Sequence, residues 1–580
     1  MKYSDLLFYI FVLSFSSIIS QTTNIPDIEF EKELISLGVD DILDGKVLTS
    51  TIKNITTLNI PVGSITDLTG IEDFINLITL DCSSNELTSL DVSNNINLTT
   101  LVCTDNKLTS LDVSNNTLLE KLWCFGNTLG NLDVSANLNL KDLHCGWVGL
   151  TKLDVSNNIL LEDLWCISNQ LTTLDVSNNI NLEELHCAST GLTNLDLSNN
   201  LNLRKLSCGG TGLTSLNVSA NHKLEELFCG GPEFKSLDVS ANPVLRRILC
   251  KNSKLTSLDV SSNTALQNLN VYNNELTSLD VSANPNLIDL SCSNNELTTL
   301  ITNNNDKLKE ITCINNQLTS LDVSTNYVFK TLICYNNQLT SLITDNAHLK
   351  EINCSNNKLE NLDVSSDPAL SNLICSNNQL TSLDVSSNPL LTGLFCDNNQ
   401  LSNIITVNSL IVLECDNNQL TSLDVSSITN LQRFYCHDNP TLSSLNIKNG
   451  NNSKLPDYYI RVENNPNLYC IEVDDATYSK ENWLNKDSHT IYSTNCATAS
   501  ITDNNLLENA NIFIRKSKEL EISIPVKVSF KIYNLKGQEL LNGVLRNTSN
   551  LLDLKSFSNG LYIIQLTHKN QQISKKFILN

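Results

Sequence analysis

Methionine occurs once in these 580 residues, aromatic side chains make up only 6%, and glycine and proline number 19 and 11. A chain of this length has room for roughly four domains of about 150 residues each. Several unrelated cores would draw on a more even palette. A bias this strong towards Leu and Asn, with so few large aromatics, points to one small unit copied many times.

Positive charge is also short. Lys and Arg total 38 against 62 Asp and Glu, a formal net charge of −24. That balance speaks against nucleic acid as a partner, because affinity for phosphates comes largely from basic side chains. It equally opposes a polybasic grip on anionic lipid. Long apolar runs are missing beyond the N-terminus, where Lys2 precedes LLFYIFVL and small residues lead to Ser20. That run is short for a membrane span and fits a secretory signal over residues 1–20. The mature chain is expected to be exported, monomeric and not inserted in a membrane. Motifs of catalysis are lacking too: H-E-x-x-H, G-x-S-x-G and G-x-x-x-x-G-K-[ST] do not occur. No catalytic residue, cofactor or metal ligand set is assigned, and an enzyme is not expected.

What is abundant is periodic. Cysteines stand at 82, 103, 124, 145, 166, 187, 208, 229 and 250, always 21 apart; Val271 takes the next slot, and the series resumes from Cys292 to Cys436. Residues 98–118, LTTLVCTDNKLTSLDVSNNTL, show the unit. Its LxxLxCxxNxL core resembles the leucine-rich-repeat signature. Alternation places Leu101 and Cys103 on one face of a short strand and Thr100, Val102 and Thr104 on the other. Leu108, Leu111 and Val113 repeat the inward pattern in a second extended segment. Stacked coils bury a Leu/Cys column that no single coil could cover. About 18 coils over residues 58–450 are expected, which at about 4.8 Å each span on the order of 85 Å. Asn85, Asn106, Asn127 and their equivalents mark the turn leaving the strand, where an amide can satisfy orphaned backbone groups.

Ladder thiols in register lie about 4.8 Å apart with parallel Cβ vectors, whereas a disulfide needs converging Cβ atoms near 3.8 Å. They are read as small buried hydrophobes. Cys470 and Cys496 break the period and are the candidate disulfide, bracketing a helix-like segment within a C-terminal cap at 451–500. At the other end Asp27 is placed as the cap of a helix IEFEKELISLGV, with Phe30, Leu34 and Leu37 inward and Gly38 as its stop, in an N-terminal cap over 21–57.

The 21-residue unit with its cysteine column resembles the cysteine-ladder internalins, bacterial surface proteins of the leucine-rich-repeat kind. The resemblance implies an adhesin that binds an extracellular protein or glycan on a concave strand face. After residue 500 the pattern changes to alternating strands: VSFKIYNLKGQEL, LLDLKSFSNGLYIIQL and ISKKFILN. Ile532-Tyr533-Asn534 with Gly537, Asp553-Leu554 with Gly560-Leu561-Tyr562, and Lys575-Lys576-Phe577 resemble the type IX secretion sorting domain. The Pro-Asn-Pro turn common near the start of such domains is absent. That resemblance implies a small all-β sandwich over 501–580, the type IX machinery as a partner, and a secreted or cell-surface location. The fold class is thus an α/β-type repeat solenoid of short parallel strands and irregular coils, followed by that sandwich.

The outward strand surface varies. Trp123, His144, Trp165, His186, Ser207 and Phe228 precede successive ladder positions, with Phe125 and Trp147 beside them; two residues earlier come charges, Lys121, Asp142, Asp163, Glu184 and Lys205 among them. Large aromatics rimmed by charge mark binding sites, and the aromatic, histidine and acidic residues among them are the candidate ligand-binding set. Packing of the rings on one another across coils is the competing role. Here the turn Asn gives way to Val148, Thr190, Thr211, Pro232 and Ser253, as expected of a specialised stretch. Replacing Trp123 and Trp165 by Ala is expected to abolish binding at little cost in stability. A second outward column, Asp91, Asp112, Asp133 and their equivalents, repels itself by on the order of 1 kcal/mol per neighbouring pair. Hydrogen bonds from adjacent coils are the favoured offset; weak structural Ca2+ is the alternative. A structural surface protein without a specific ligand is the second functional reading.

Overall fold

The computed structural model describes residues 21–497, 510–515, 518–524, 527–546, 549–568 and 571–579. The signal segment 1–20 and part of the expected C-terminal domain lie outside the described residues. Two compact units divide the chain, residues 1–307 and 308–580.

In the first unit, Thr22–Asn24 pairs antiparallel with Lys46–Leu48. The helix Ile28–Ser36 lies between them, and the Asp27 carboxylate accepts from the N–H groups of Glu29 and Phe30. Phe30 and Leu34 are fully buried, but Leu37 is 49% exposed. The expected inward Leu37 is corrected by the cap: the helix ends at Ser36, and Leu37 turns outward with the C-cap. Gly38, at φ +70°, provides the left-handed stop.

Three-residue strands then recur, Thr79–Asp81, Thr100–Val102, Lys121–Trp123 and onward, paired parallel and in register with a 21-residue offset. Leu101, Cys103, Leu108 and Val113 are fully buried, while Thr100 and Val102 are half-buried. The second extended segment pairs as a strand in only some coils, as where Ser215–Asn217 meets Ser236–Asp238.

In most coils two asparagines close the turns. Asn106 donates to the carbonyls of Cys82 and Cys103 at 3.0 and 3.2 Å, and its own oxygen accepts from Leu87 N at 3.0 Å. One side chain thus ties its own coil to its predecessor and satisfies three backbone groups, Cys82 O, Cys103 O and Leu87 N. A second buried amide, Asn116, donates to the carbonyls of Val92 and Asn95 at 2.9 and 3.0 Å.

The ladder cysteines are buried free thiols, with Val271 equally buried in its slot. Burial disfavours the thiolate and pushes the Cys187 thiol up to about 12.

The second unit repeats the scheme, with Glu310–Thr312 against Thr331–Ile333 and later Val412–Glu414 against Arg433–Tyr435. Parallel pairing goes on past residue 450, through Phe434 to Ile460 and then Cys470–Glu472 to Ile491–Ser493. The expected C-terminal cap therefore carries coils of its own, without the ladder Cys to announce them. Cys470 and Cys496 are joined by a disulfide. Between them the helix Ala476–Asn482 starts at Asp475, and Trp483 is buried with its Nε1 donating to Leu455 O at 2.9 Å. The remaining strands form two antiparallel sheets, one of three strands and one of four. Leu520, Ile522, Phe530, Ile532, Ile564 and Leu566 are among their buried core.

Candidate ligand-binding face

Five successive strands in the first unit, Lys121–Trp123, Asp142–His144, Asp163–Trp165, Glu184–His186 and Lys205–Ser207, run parallel and in register. Their central Leu points inward, so the first and third residues of each face out. The repeat therefore builds two columns: a charged one from the first positions and an aromatic one from the third.

Strand spacing of about 4.8 Å is close to ring-stacking distance. Trp123 and His144 stack at 4.6 Å between centroids, His144 and Trp165 at 4.8 Å, and Trp165 and His186 at 4.1 Å. The Lys121 ammonium caps the array 3.3 Å from the Trp123 ring centroid, a cation–π contact. The faces of these rings are spent on one another, leaving their edges outward.

Carboxylates line the array. Asp142 Oδ1 accepts from Trp123 Nε1 at 2.8 Å and lies 3.2 Å from His144 Nε2. His144 Nε2 also lies 3.3 Å from Asp163 Oδ2. Glu184 pairs with Lys205 at 2.7 Å and reaches His186 Nε2 at 3.5 Å. Burial alone would raise the Glu184 carboxyl, but Lys205 and His186 together bring it below its usual range. Burial draws His186 down from the usual histidine value.

These contacts correct one expectation. Trp123 and Trp165 are half-buried members of a stack, and Trp165 Nε1 is shielded from solvent. Their removal will cost stability. Trp147 is different. It is 58% exposed and sits at φ +51°, a backbone region hostile to bulky side chains. The same slot in nearby coils holds Ser84, Asp105, Gly126, Ser168, Ser189 and Gly210. Phe125 lies half-buried by the preceding turn. Phe228 is not part of the stack, because Ser207 pairs between it and His186; it packs instead under Arg247, 5.2 Å from its ring centroid.

Two of the relaxed turns still satisfy the strand carbonyl that Asn serves elsewhere. Thr190 and Thr211 donate to Cys187 O and Cys208 O at 2.8 and 2.9 Å. The Asp column is also settled within each coil, not between coils as expected. Asp112 Oδ1 accepts from Ser114 N, two residues on, at 2.9 Å. The Ser114 N–H and hydroxyl hold the Asp112 carboxyl below its usual range.

Lys121, two residues before Trp123, and Lys205, at the same strand position two coils past Trp165, were visible in the sequence but not counted as site members. It also missed a cluster in the second unit. Arg433 lies 5.3 Å from the Tyr459 ring and Arg461 5.9 Å from the Tyr435 ring. Arg433 also donates to Glu414 at 3.0 Å. Arg433 and Tyr435 repeat the strand positions of Lys121 and Trp123.

Among curated proteins, none matches the chain in sequence. Residues 516–580 match the secretion system C-terminal sorting domain family. Among solved structures, the chain is similar to the functional domain of InlJ from Listeria monocytogenes, whose description includes a cysteine ladder. Identity is 25%, coverage is 96% of this chain and 98% of that one, and the TM-score is 0.45. YopM from Yersinia enterocolitica is 22% identical over 75% of this chain and 91% of its own, with a TM-score of 0.52. A plant peptide hormone receptor, RGFR1 in complex with RGF2, is 16% identical over 76% and 89%, with a TM-score of 0.50. No helix among the described residues is long and apolar enough to cross a membrane. The chain is a leucine-rich-repeat solenoid with a cysteine ladder, and the secretion system C-terminal sorting domain matched at residues 516–580 directs it to the cell surface or outside the cell.

Proposed function

We propose that this protein is a non-catalytic extracellular binder, an adhesin, that recognises a protein partner through the strand face and turn edge around Trp147. The observation that carries this reading is Trp147 itself. A large exposed indole held at positive φ costs stability, and the coil has nothing to gain from it that Ser, Asp or Gly would not supply. Exposed indoles anchor interfaces because they contribute much apolar area at little rotamer cost.

A protein partner is favoured over a glycan by the stack. Sugars pack on aromatic faces, and the faces of His144 and Trp165 are covered by neighbouring rings. Ring edges, the Trp147 indole and a run of carboxylates, Asp142, Asp163 and Glu184, bounded by Lys121 and Lys205 suit a polypeptide surface instead. The peptide hormone receptor with the same fold, solved with its ligand, is an example of such use. Screening the purified protein against arrays of extracellular proteins and of glycans, beside Trp147→Asn, tests this. A protein hit weakened at least tenfold in the variant supports the reading. Glycan hits alone, or hits indifferent to Trp147, contradict it. A structural role without a ligand predicts a uniform outward surface, and the local concentration of aromatics disfavours it.

A further inference from the structure

We propose that the face between Asp142 and His186 is a binding site for a divalent transition-metal ion of the Zn2+ class. Two imidazole–carboxylate triads share Asp163, and each is a three-ligand seat for the ion. Asp142, His144 and Asp163 form one triad and Asp163, Glu184 and His186 the other; within each, one donor atom per residue lies within 4.8 Å of the others.

The spacing is that of a coordination shell. Tetrahedral zinc with ligand bonds of about 2.0–2.1 Å sets its donor atoms roughly 3.3–3.4 Å apart. His144 Nε2 lies 3.2 Å from Asp142 Oδ1 and 3.3 Å from Asp163 Oδ2, and His186 Nε2 lies 3.5 Å from Glu184 Oε2. Imidazole with carboxylate suits zinc and its neighbours better than Ca2+ or Mg2+, which prefer all-oxygen shells.

The donors are also held in place. His144 is sandwiched between Trp123 and Trp165, so its ring plane is fixed and Nε2 stays on the carboxylate side. Trp123 Nε1 donates to Asp142 and orients it, the kind of outer-shell support that metal ligands need.

Two donor atoms are poorly satisfied. His186 Nε2 has only the long 3.5 Å contact to Glu184, and among the described residues Asp163 Oδ1 is buried without a hydrogen bond, which is unfavourable for a buried polar atom. Charge converges on the same spot. Lys121 and Lys205 pair with the outer carboxylates Asp142 and Glu184. Among the described residues, the ion pairs of Asp163 include histidine but no lysine or arginine. A cation between the imidazoles would neutralise what the lysines do not reach. Three protein ligands leave a further position open to water or to a partner's side chain.

Ladder thiols do not compete, since Cys124, Cys145 and Cys166 are fully buried on the opposite, inward side of the strands.

The inference is independent of the binding role of Trp147, which lies outside both triads. Zn2+ titration of the chelator-stripped, full-length protein by calorimetry tests it, with Co2+ as a second probe read by quenching of tryptophan fluorescence. Specific uptake of Zn2+ is expected. Asp163→Asn, which keeps size and shape, should weaken it at least tenfold and abolish the Co2+ quenching, as should His144→Gln; Trp147→Asn should leave it unchanged. Circular dichroism confirms that each variant is folded. No uptake by the wild type, or equal uptake by Asp163→Asn, overturns the proposal.

Discussion

The rings of Trp123 and His144 lie 4.6 Å apart and within 4° of parallel. Neither residue is near the other in sequence. In-register coils bring them together, and the same repeat that buries thiols on one side of each strand stacks aromatics on the other. Consequences for stability and for binding therefore separate along this face.

Trp165→Ala removes a half-buried ring held between His144 and His186. The expected loss is about 2–3 kcal/mol, below the roughly 3–5 kcal/mol of a fully buried aromatic. Denaturant unfolding beside the wild type measures it.

Trp147→Asn should act oppositely. Asn tolerates the left-handed backbone that Trp147 occupies at φ +51°, so the variant should be as stable as the wild type or more stable by about 1 kcal/mol. A clear drop in melting temperature would show that the indole packs where it is described as exposed.

Asn106→Ala deletes the donor to Cys82 O and Cys103 O and the acceptor for Leu87 N. Those backbone groups have no water to turn to. A loss of about 2–3 kcal/mol is expected, against nearly none for the exposed Asn115→Ala.

Alkaline pH should unfold the protein abruptly. A folded thiol with its pKa raised binds its proton more tightly than the unfolded one. Stability is therefore fully present below the ordinary thiol value of 9.0 and is lost as pH climbs towards about 12, the folded value for Cys187, Cys313 and Cys354. Each such thiol contributes a slope of about 1.4 kcal/mol per pH unit. Stability measured between about pH 8 and about pH 11 should fall steeply; replacing Cys187 by Val, the residue found at Val271, should reduce that slope by about 1.4 kcal/mol per pH unit.

Much of this architecture is legible in the chain. The Cys103 and Asn106 slots set the period, and the alternation of Leu101 with Val102 sets inside from outside. The coils at Ile460–Arg461 and Ile491–Ser493 were not legible, because neither carries the ladder Cys and their spacing departs from the repeat. The aromatic column was visible as a sequence pattern, but not its stacking, which depends on rotamers fixed across coils. Nor was the grouping of Asp142, His144 and Asp163, since these donors converge across coils rather than along one motif. Trp147 stood out as an aromatic; its strained backbone became clear only once Ser84, Asp105 and Gly126 were seen in the same conformation.

The most direct test of the account is the affinity of an array-captured protein partner for three forms of the chain: wild type, Trp147→Asn, and Tyr327→Asn, which alters an aromatic 67% exposed in the other unit. The account predicts at least a tenfold loss for Trp147→Asn alone, with unchanged thermal stability. Equal affinities for all three would contradict it.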